Sequence, residues 1–177
     1  MKKLAITGGI GTGKTFISKQ FIEQGIPVFY ADDEAKKLYR DIEVLRQIRD
    51  VFGNDVFDGD QLNLSRLSAL VFGDEKRLRA LENIIHPMVM KKFDEWAAQQ
   101  NAESVMMESA IIFEGHLEKY FDKVYVVNAS LETRLARIRR RNPELSDNEI
   151  LARINAQMSQ EEKCALADEV IEHDEEL

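Results

Sequence analysis

Short apolar runs recur along the chain and predict the strands of a buried sheet. They are Leu4-Ala5-Ile6, Val28-Phe29-Tyr30 behind Pro27, Val105-Met106-Met107, Val124-Tyr125-Val126-Val127 and, more weakly, Val170-Ile171. Between the first two runs, Ile17 and Phe21 lie one helical turn apart, and Gly25 stands where a helix C-cap glycine would. The chain therefore opens with a β-α-β unit. Residues 33–96 contain no strand candidate: Leu45, Ile48 and Phe52 share one helical face, a polar Gly/Asp turn follows at 53–60, and helical spacing resumes from Ser65. Within that stretch His86-Pro87 interrupts the stripe of Leu81, Ile84, Ile85, Val89 and Phe93, which predicts a kink or a break between helices. Crossovers in parallel sheets usually consist of a single helix, so this excess predicts a helical lobe mounted on a sheet of about five strands. Ser130 reads as an N-cap with Glu132 in the first turn of a helix reaching Arg141, which Asn142-Pro143 ends. Residues 147–158 read as helix again, and the acidic tail at 172–177 is expected to fray.

Composition narrows the function class. The chain has 177 residues, near the size of one domain with room for an inserted lobe. A formal charge of −8 disfavours nonspecific nucleic-acid binding, so any site for a polyanion must be locally basic. Cys164 is the single cysteine, which excludes an internal disulfide, and no apolar run approaches the length of a membrane span. A cytoplasmic protein without a membrane or nucleic-acid partner is expected, acting as a monomer or weak homo-oligomer.

The most specific chemistry follows the first strand. Gly8-Gly9-Ile10-Gly11-Thr12-Gly13-Lys14-Thr15 fits the phosphate-binding pattern G-x-x-x-x-G-K-[ST], in the strand, loop, helix order which that pattern requires. Glycines let successive N–H groups converge on one anion, and the helix N-terminus adds partial positive charge behind them. Lys14 would reach the β/γ-phosphates, and Thr15 would offer its hydroxyl to Mg²⁺.

Other residues admit two readings. Asp32, just past the second strand, is placed to receive a proton or orient a hydroxyl; with Asp33 and Glu34 it also makes an acidic helix start. Arg134, Arg137, Arg139, Arg140 and Arg141 form a basic cluster, with Arg134, Arg137 and Arg141 on one helical face. Such guanidinium groups suit phosphate, or form a solvated face paired with Glu132 and Glu144. Glu108 follows the third strand, where an acid can hold Mg²⁺ through water. Glu114 and His116 could contact substrate or face solvent, and His86 could be a ligand or a satisfied core histidine. Three histidines and one cysteine give little for a zinc site.

Taken in order, these residues resemble the dephospho-coenzyme A kinase family. Thr7 and the loop that follows it are similar to T-G-G-I-G-S-G-K-S, Ala31-Asp32 and Ala35 to D-A-D-x-x-A-R, Ile85-His86-Pro87 to L-H-P, and Ile111-Ile112-Phe113-Glu114 to P-L-L-F-E. Arg137 and Arg141 match the family's paired arginines. Ala152-Arg153-Ile154, Ala156-Gln157-Met158, Glu161-Glu162-Lys163 and residues 167–171 follow its terminal pattern. Departures are Tyr30 for an aspartate, Lys36 for an arginine, Phe16 for a small hydroxyl residue, Ala110 for a proline and Asn142 for an aspartate. The resemblance implies a P-loop NTPase fold, a three-layer α/β/α arrangement around a five-stranded parallel sheet. Residues 1–31 and 100–177 would form the nucleotide-binding core, with a lid-like segment at about 138–158, and residues 32–99 an inserted helical substrate lobe. It further implies γ-phosphoryl transfer from ATP, with Mg²⁺, to the ribose 3′-hydroxyl of dephospho-coenzyme A. Residues 8–16, including Phe16, would bind ATP; Asp32, Lys14, Arg137 and Arg141 would be catalytic; Asp32, Lys36, His86 and Glu114 would bind the acceptor. A kinase of another small molecule, or a nucleotide-binding scaffold without transfer activity, remains as an alternative. So does a GTP-dependent switch, since Asp50-Val51-Phe52-Gly53 matches D-x-x-G, although no N-K-x-D motif accompanies it.

Overall fold

A computed structural model describes residues 1–175. The elements run β1 (Lys2–Thr7), α1 (Lys14–Glu23), β2 (Val28–Tyr30), α2 (Ala31–Leu38), α3 (Ile42–Phe52), β3 (Phe57–Asp58), β4 (Gln61–Leu62), α4 (Leu64–Val71), α5 (Glu75–Ala97), β5 (Ser104–Glu108), β6 (Lys123–Asn128), α6 (Leu131–Arg141), α7 (Asp147–Asn155), α8 (Gln160–Leu166) and β7 (Glu169–Glu172). They divide into two compact units, one of residues 1–30 and 99–175 and one of residues 31–98. No helix among the described residues is long and apolar enough to cross a membrane.

The first unit is built on a five-stranded sheet in the order β2-β5-β1-β6-β7, and every strand pair in it is parallel. Leu4, Ile6, Ile17, Met106 and Val127 form a buried apolar cluster, with Phe21, Ile26, Val28, Tyr125 and Ile171 packed against it. All five predicted apolar runs are strands; β1, β5 and β6 read as continuous apolar sequence because parallel strands inside a sheet are covered on both faces, whereas β7 is an exposed edge strand, which is why its signal is weak. Gly25 ends α1 with φ 83°; its N–H donates to Ile22 O, and Ile26 N–H donates to Phe21 O. That is the Schellman pattern, and it turns the chain into β2.

Two expectations for the C-terminal region change. Helix does not continue to residue 158: α7 stops at Asn155, and a separate helix, α8, starts after Ser159. Ser146 with Glu149 and Ser159 with Glu162 each form a capping box, which starts a helix twice within fourteen positions. The acidic tail is also ordered as far as it is described. Glu172 lies in β7, His173 N–H donates to Asn128 O, and Asp174 accepts from Ser130 N–H, a bond that holds its carboxyl below the usual carboxylate range. The fraying expected for residues 176 and 177 lies outside the described residues.

The second unit is helical, with α5 packed against α2, α3 and α4. Here the break allowed for at His86-Pro87 is absent, since α5 runs unbroken from Glu75 to Ala97 with Pro87 inside it. Proline removes one hydrogen bond to the carbonyl four residues earlier, at a cost of about 3 kcal/mol. Pro87 and Asn83 are both exposed, so water can serve that carbonyl, while Leu81, Ile84, Ile85, Val89 and Phe93 stay buried along the opposite stripe. Burial of that stripe outweighs the local defect. The polar turn expected at 53–60 contains a small antiparallel hairpin, Phe57 opposite Leu62 and Asp58 opposite Gln61. Gly59, with φ 63°, occupies the first position of its two-residue turn, where a left-handed residue is required.

Candidate active site

The loop between β1 and α1 is shaped by donors that hold its carbonyls. Gly9 O accepts from Thr12 N (3.2 Å) and Thr12 Oγ1 (2.9 Å), and Ile10 O accepts from Arg134 Nε (2.9 Å). Gly11 O and Thr12 O both accept from Arg137 Nη1, at 3.3 and 3.1 Å. A peptide unit is planar and trans, so drawing the Ile10 and Thr12 carbonyls toward arginines turns the N–H groups of Gly11 and Gly13 to the opposite side. Together with the orphan donors of the first turn of α1, these make a concave set of N–H groups suited to an anion.

Close packing explains two of the glycines. A Cβ on Gly9 would sit 2.4 Å from Arg134 Nη2, and one on Gly13, whose φ is 91°, would sit 2.5 Å from His173 Cδ2. Gly13 therefore disfavours any side chain, whereas one on Gly9 would displace the Arg134 guanidinium from its place against the loop.

Arg134, only 5% exposed, was one of a basic cluster in sequence; in the fold it is the member set deepest against the loop. Burial disfavours its charged form, and the Ile10 carbonyl offsets that. Arg137 is half-buried and also donates through Nη2 to His173 O (2.9 Å) and to Glu175 O. Its guanidinium is therefore engaged by backbone carbonyls. Arg141 is exposed at the last residue of α6, one turn further on, and Arg139 instead ties α6 to Asp147 at the start of α7 (2.8 Å). The solvated-face reading holds for Arg139, although its partner is Asp147 rather than Glu132 or Glu144.

On the other side of the loop, Glu108 ends β5 in register with Ile6 of β1 and Tyr30 of β2. Its Oε1 accepts from Thr15 Oγ1 (3.0 Å) and its Oε2 from Ser18 Oγ (2.8 Å). Glu108 is 8% exposed and Ser18 fully buried, so this acid is fixed beside the threonine of the phosphate-binding motif. Ser18 carried no sequence signal beyond lying three residues after Thr15, on the same helical face.

Phe16 stacks on His173, with ring centroids 5.1 Å apart and an interplanar angle of 5°. Burial, and next the nearby charge of Arg137, pull the His173 pKa below its ordinary value, so its ring is neutral at neutral pH. Glu114 neither faces solvent nor stands alone: Oε1 accepts from Lys163 Nζ (2.7 Å) and from Met158 N–H (3.2 Å). His116 is exposed with φ 52°.

In the second unit, Asp32 is an exposed residue in the first turn of α2, which begins immediately after Tyr30 of β2. Lys36 is exposed and pairs with Asp33 at 3.3 Å. His86 is half-buried on α5, and burial lowers its pKa, favouring the neutral ring. The D-x-x-G stretch is a helix end, with Gly53 as the C-cap of α3.

The family model described as dephospho-CoA kinase matches residues 3–177. A dephospho-CoA kinase of Bacteroides fragilis is 38% identical over 174 residues, covering 97% of this chain and 84% of the relative. Among solved structures, a Thermus thermophilus protein superposes with a TM-score of 0.85 at 34% identity, covering 97% of this chain and 88% of that one. Dephospho-CoA kinase from Campylobacter jejuni superposes with a TM-score of 0.65 at 25% identity, covering 98% and 89%. With its parallel sheet, P-loop and a family match over almost its whole length, the chain belongs to the dephospho-CoA kinase family, enzymes of coenzyme A biosynthesis that use ATP to phosphorylate dephospho-CoA.

Proposed function

We propose that the two units divide the reaction, residues 8–16 with the rest of the sheet unit holding ATP and the helical unit holding dephospho-CoA. The observation that carries this reading is the loop of residues 8–13, whose carbonyls are engaged by Arg134, Arg137 and Thr12 so that the N–H groups of Gly11 and Gly13 are turned toward an anion. Lys14 supplies the point charge for the β/γ-phosphates. Asp32 orients the ribose 3′-hydroxyl and accepts its proton, and Arg141 and Arg137 add positive charge as phosphate charge develops. Lys36, His86 and Glu114 are assigned to the acceptor side, Glu114 with the added task of pairing Lys163. The segment at about 138–158 serves as a lid that excludes water.

Mg²⁺ fits the oxygens present. Thr15 Oγ1 and Glu108 Oε1 are adjacent hard donors, 3.0 Å apart, and the described residues contain no cluster of three or more His, Cys, Asp or Glu that would complete a cage. Such an arrangement suits an ion that keeps waters and shares phosphate oxygens, and when bound it would neutralise charge on the β- and γ-phosphates. Thr15 would hold it directly and Glu108 through water. The acidic surface supports a cytoplasmic enzyme that binds no nucleic acid, as a monomer or weak homo-oligomer.

Glu108→Gln tests the assignment. The amide keeps an acceptor for one hydroxyl but loses the charge, so the Mg²⁺ concentration for half-maximal rate should rise about tenfold or more. The KM for dephospho-CoA should stay unchanged. A wild-type Mg²⁺ dependence would remove Glu108 from the site. Coupled measurement of ADP and coenzyme A formation supplies the rate.

A further inference from the structure

Two N–H groups at the front of the phosphate loop are bound by side chains from the end of the sequence. Gly9 N–H donates to Gln160 Oε1 (2.9 Å) and Ile10 N–H to Gln157 Oε1 (2.8 Å). Gln160 also donates through Nε2 to Val127 O (2.7 Å), next to the end of β6, so its amide is fixed at both ends. We propose that Gln157 and Gln160 are positioning residues for phosphoryl transfer, holding the Gly9 and Ile10 peptides so that the loop is organised before ATP arrives. The inference rests on the assignment of residues 8–15 to the ATP phosphates.

The argument is one of peptide planes. The unit joining Gly9 to Ile10 is held on its carbonyl side by Thr12 and on its N–H side by Gln157. Being planar, it cannot rotate without breaking bonds at both ends. The next unit is fixed by Arg134 on Ile10 O, and the preceding one by Gln160 on Gly9 N–H. Gly8, Gly9, Gly11 and Gly13 give the loop more backbone freedom than residues with side chains would, and that freedom opposes a single anion-binding arrangement. External acceptors restrict it without occupying the N–H groups of Gly11 and Gly13.

The glutamines can do this because their own segment is anchored. Lys163, with its side chain fully buried and three residues beyond Gln160 on α8, donates to Glu114 Oε1 (2.7 Å) and Ala110 O (2.6 Å). Glu114 Oε1 also accepts from Met158 N–H, between the two glutamines. A buried ion pair thus holds residues 157–160 in place, and they in turn hold the loop.

Gln157→Met and Gln160→Met keep volume and remove the amide. Both side chains are only half-buried, so each variant can be studied folded. Each should weaken binding of the ATP analogue AMPPNP, measured by calorimetry, and raise the KM for ATP about threefold to tenfold. The KM for dephospho-CoA should be unchanged, and hydrogen exchange in residues 8–13 should accelerate. Wild-type AMPPNP affinity and ATP KM in both variants would overturn the proposal, whether or not Tm falls. Lys14→Met separates the two levels of inference. It should abolish AMPPNP binding, and if it does not, the assignment of the loop to ATP fails rather than the role of the glutamines.

Discussion

Asp32→Asn should lower kcat about 10²–10⁴-fold while leaving the KM for ATP and the fold intact. Asparagine matches aspartate in size but cannot accept a proton, so a group that orients and deprotonates the acceptor hydroxyl loses its function at once. The competing reading makes Asp32 part of an acidic helix start. Asp33 and Glu34 share the first turn of α2, so neutralising one of three acids there should cost well under about 1 kcal/mol. The two readings differ by orders of magnitude in rate and hardly at all in Tm. Steady-state assay with saturating ATP and dephospho-CoA, beside a thermal melt, distinguishes them. Turnover within about twofold of wild type would leave Asp32 a helix-start residue, since a general base is worth far more than that. A loose transition state asks little proton transfer early on, so retention of the lower part of the predicted range by Asp32→Asn would point to orientation as its larger contribution.

What could be read from the chain tracks how local the physical cause is. The strand β1, the glycine-rich loop and the start of α1 were legible because strand burial, left-handed glycines and helix start signals all act within a few residues. Ser130 and Gly25 were legible for the same reason. The two capping boxes at Ser146 and Ser159 are equally local, but helical spacing by itself runs on past Asn155 and only the second S-x-x-E marks the new start. Pro87 works in the other direction: a local rule predicts a kink or a break, and tertiary burial of Leu81, Ile84, Ile85, Val89 and Phe93 keeps the helix continuous. The hairpin at Phe57 and Leu62 has strands of two residues, too short for any alternation to appear.

The site was legible by chemistry but not by partner. Arg134, Arg137 and Arg141 share a helical face in sequence, and only the fold shows that the first two bind loop carbonyls while the third is exposed. Glu108 stood at a strand end, but its bond to Thr15 spans 93 residues. The contacts of Gln157 and Gln160 with the loop span 147 and 151 residues, and no spacing rule reaches that far. Arginine and carboxylate announce their chemistry through charge. A neutral amide that acts by holding a peptide plane does not.

Lys163→Met should be strongly destabilising, because it strands a carboxylate already largely shielded from water. Lys163 has a fully buried side chain, and Glu114, its partner, is 21% exposed at the side chain. With the ammonium gone, Glu114 Oε1 keeps only the Met158 N–H, and Oε2 is buried without a hydrogen-bond partner. Removing one member of such a pair costs about 3–5 kcal/mol, a large share of the roughly 5–15 kcal/mol that holds a domain together. For a chain of this size that corresponds to a fall in Tm of about 10 °C. The charge rather than the lost packing is decisive, so Lys163→Met combined with Glu114→Leu should be more stable than Lys163→Met alone. The single Glu114→Gln variant then tests the other assignment of this residue. Its amide can still accept from Lys163, so stability should fall less than in Lys163→Met. If Glu114 also binds the acceptor, the KM for dephospho-CoA rises at unchanged KM for ATP. If its contribution is confined to holding Lys163 and Met158, the loss passes instead through Gln157 and Gln160 to the loop, and it is the KM for ATP that rises.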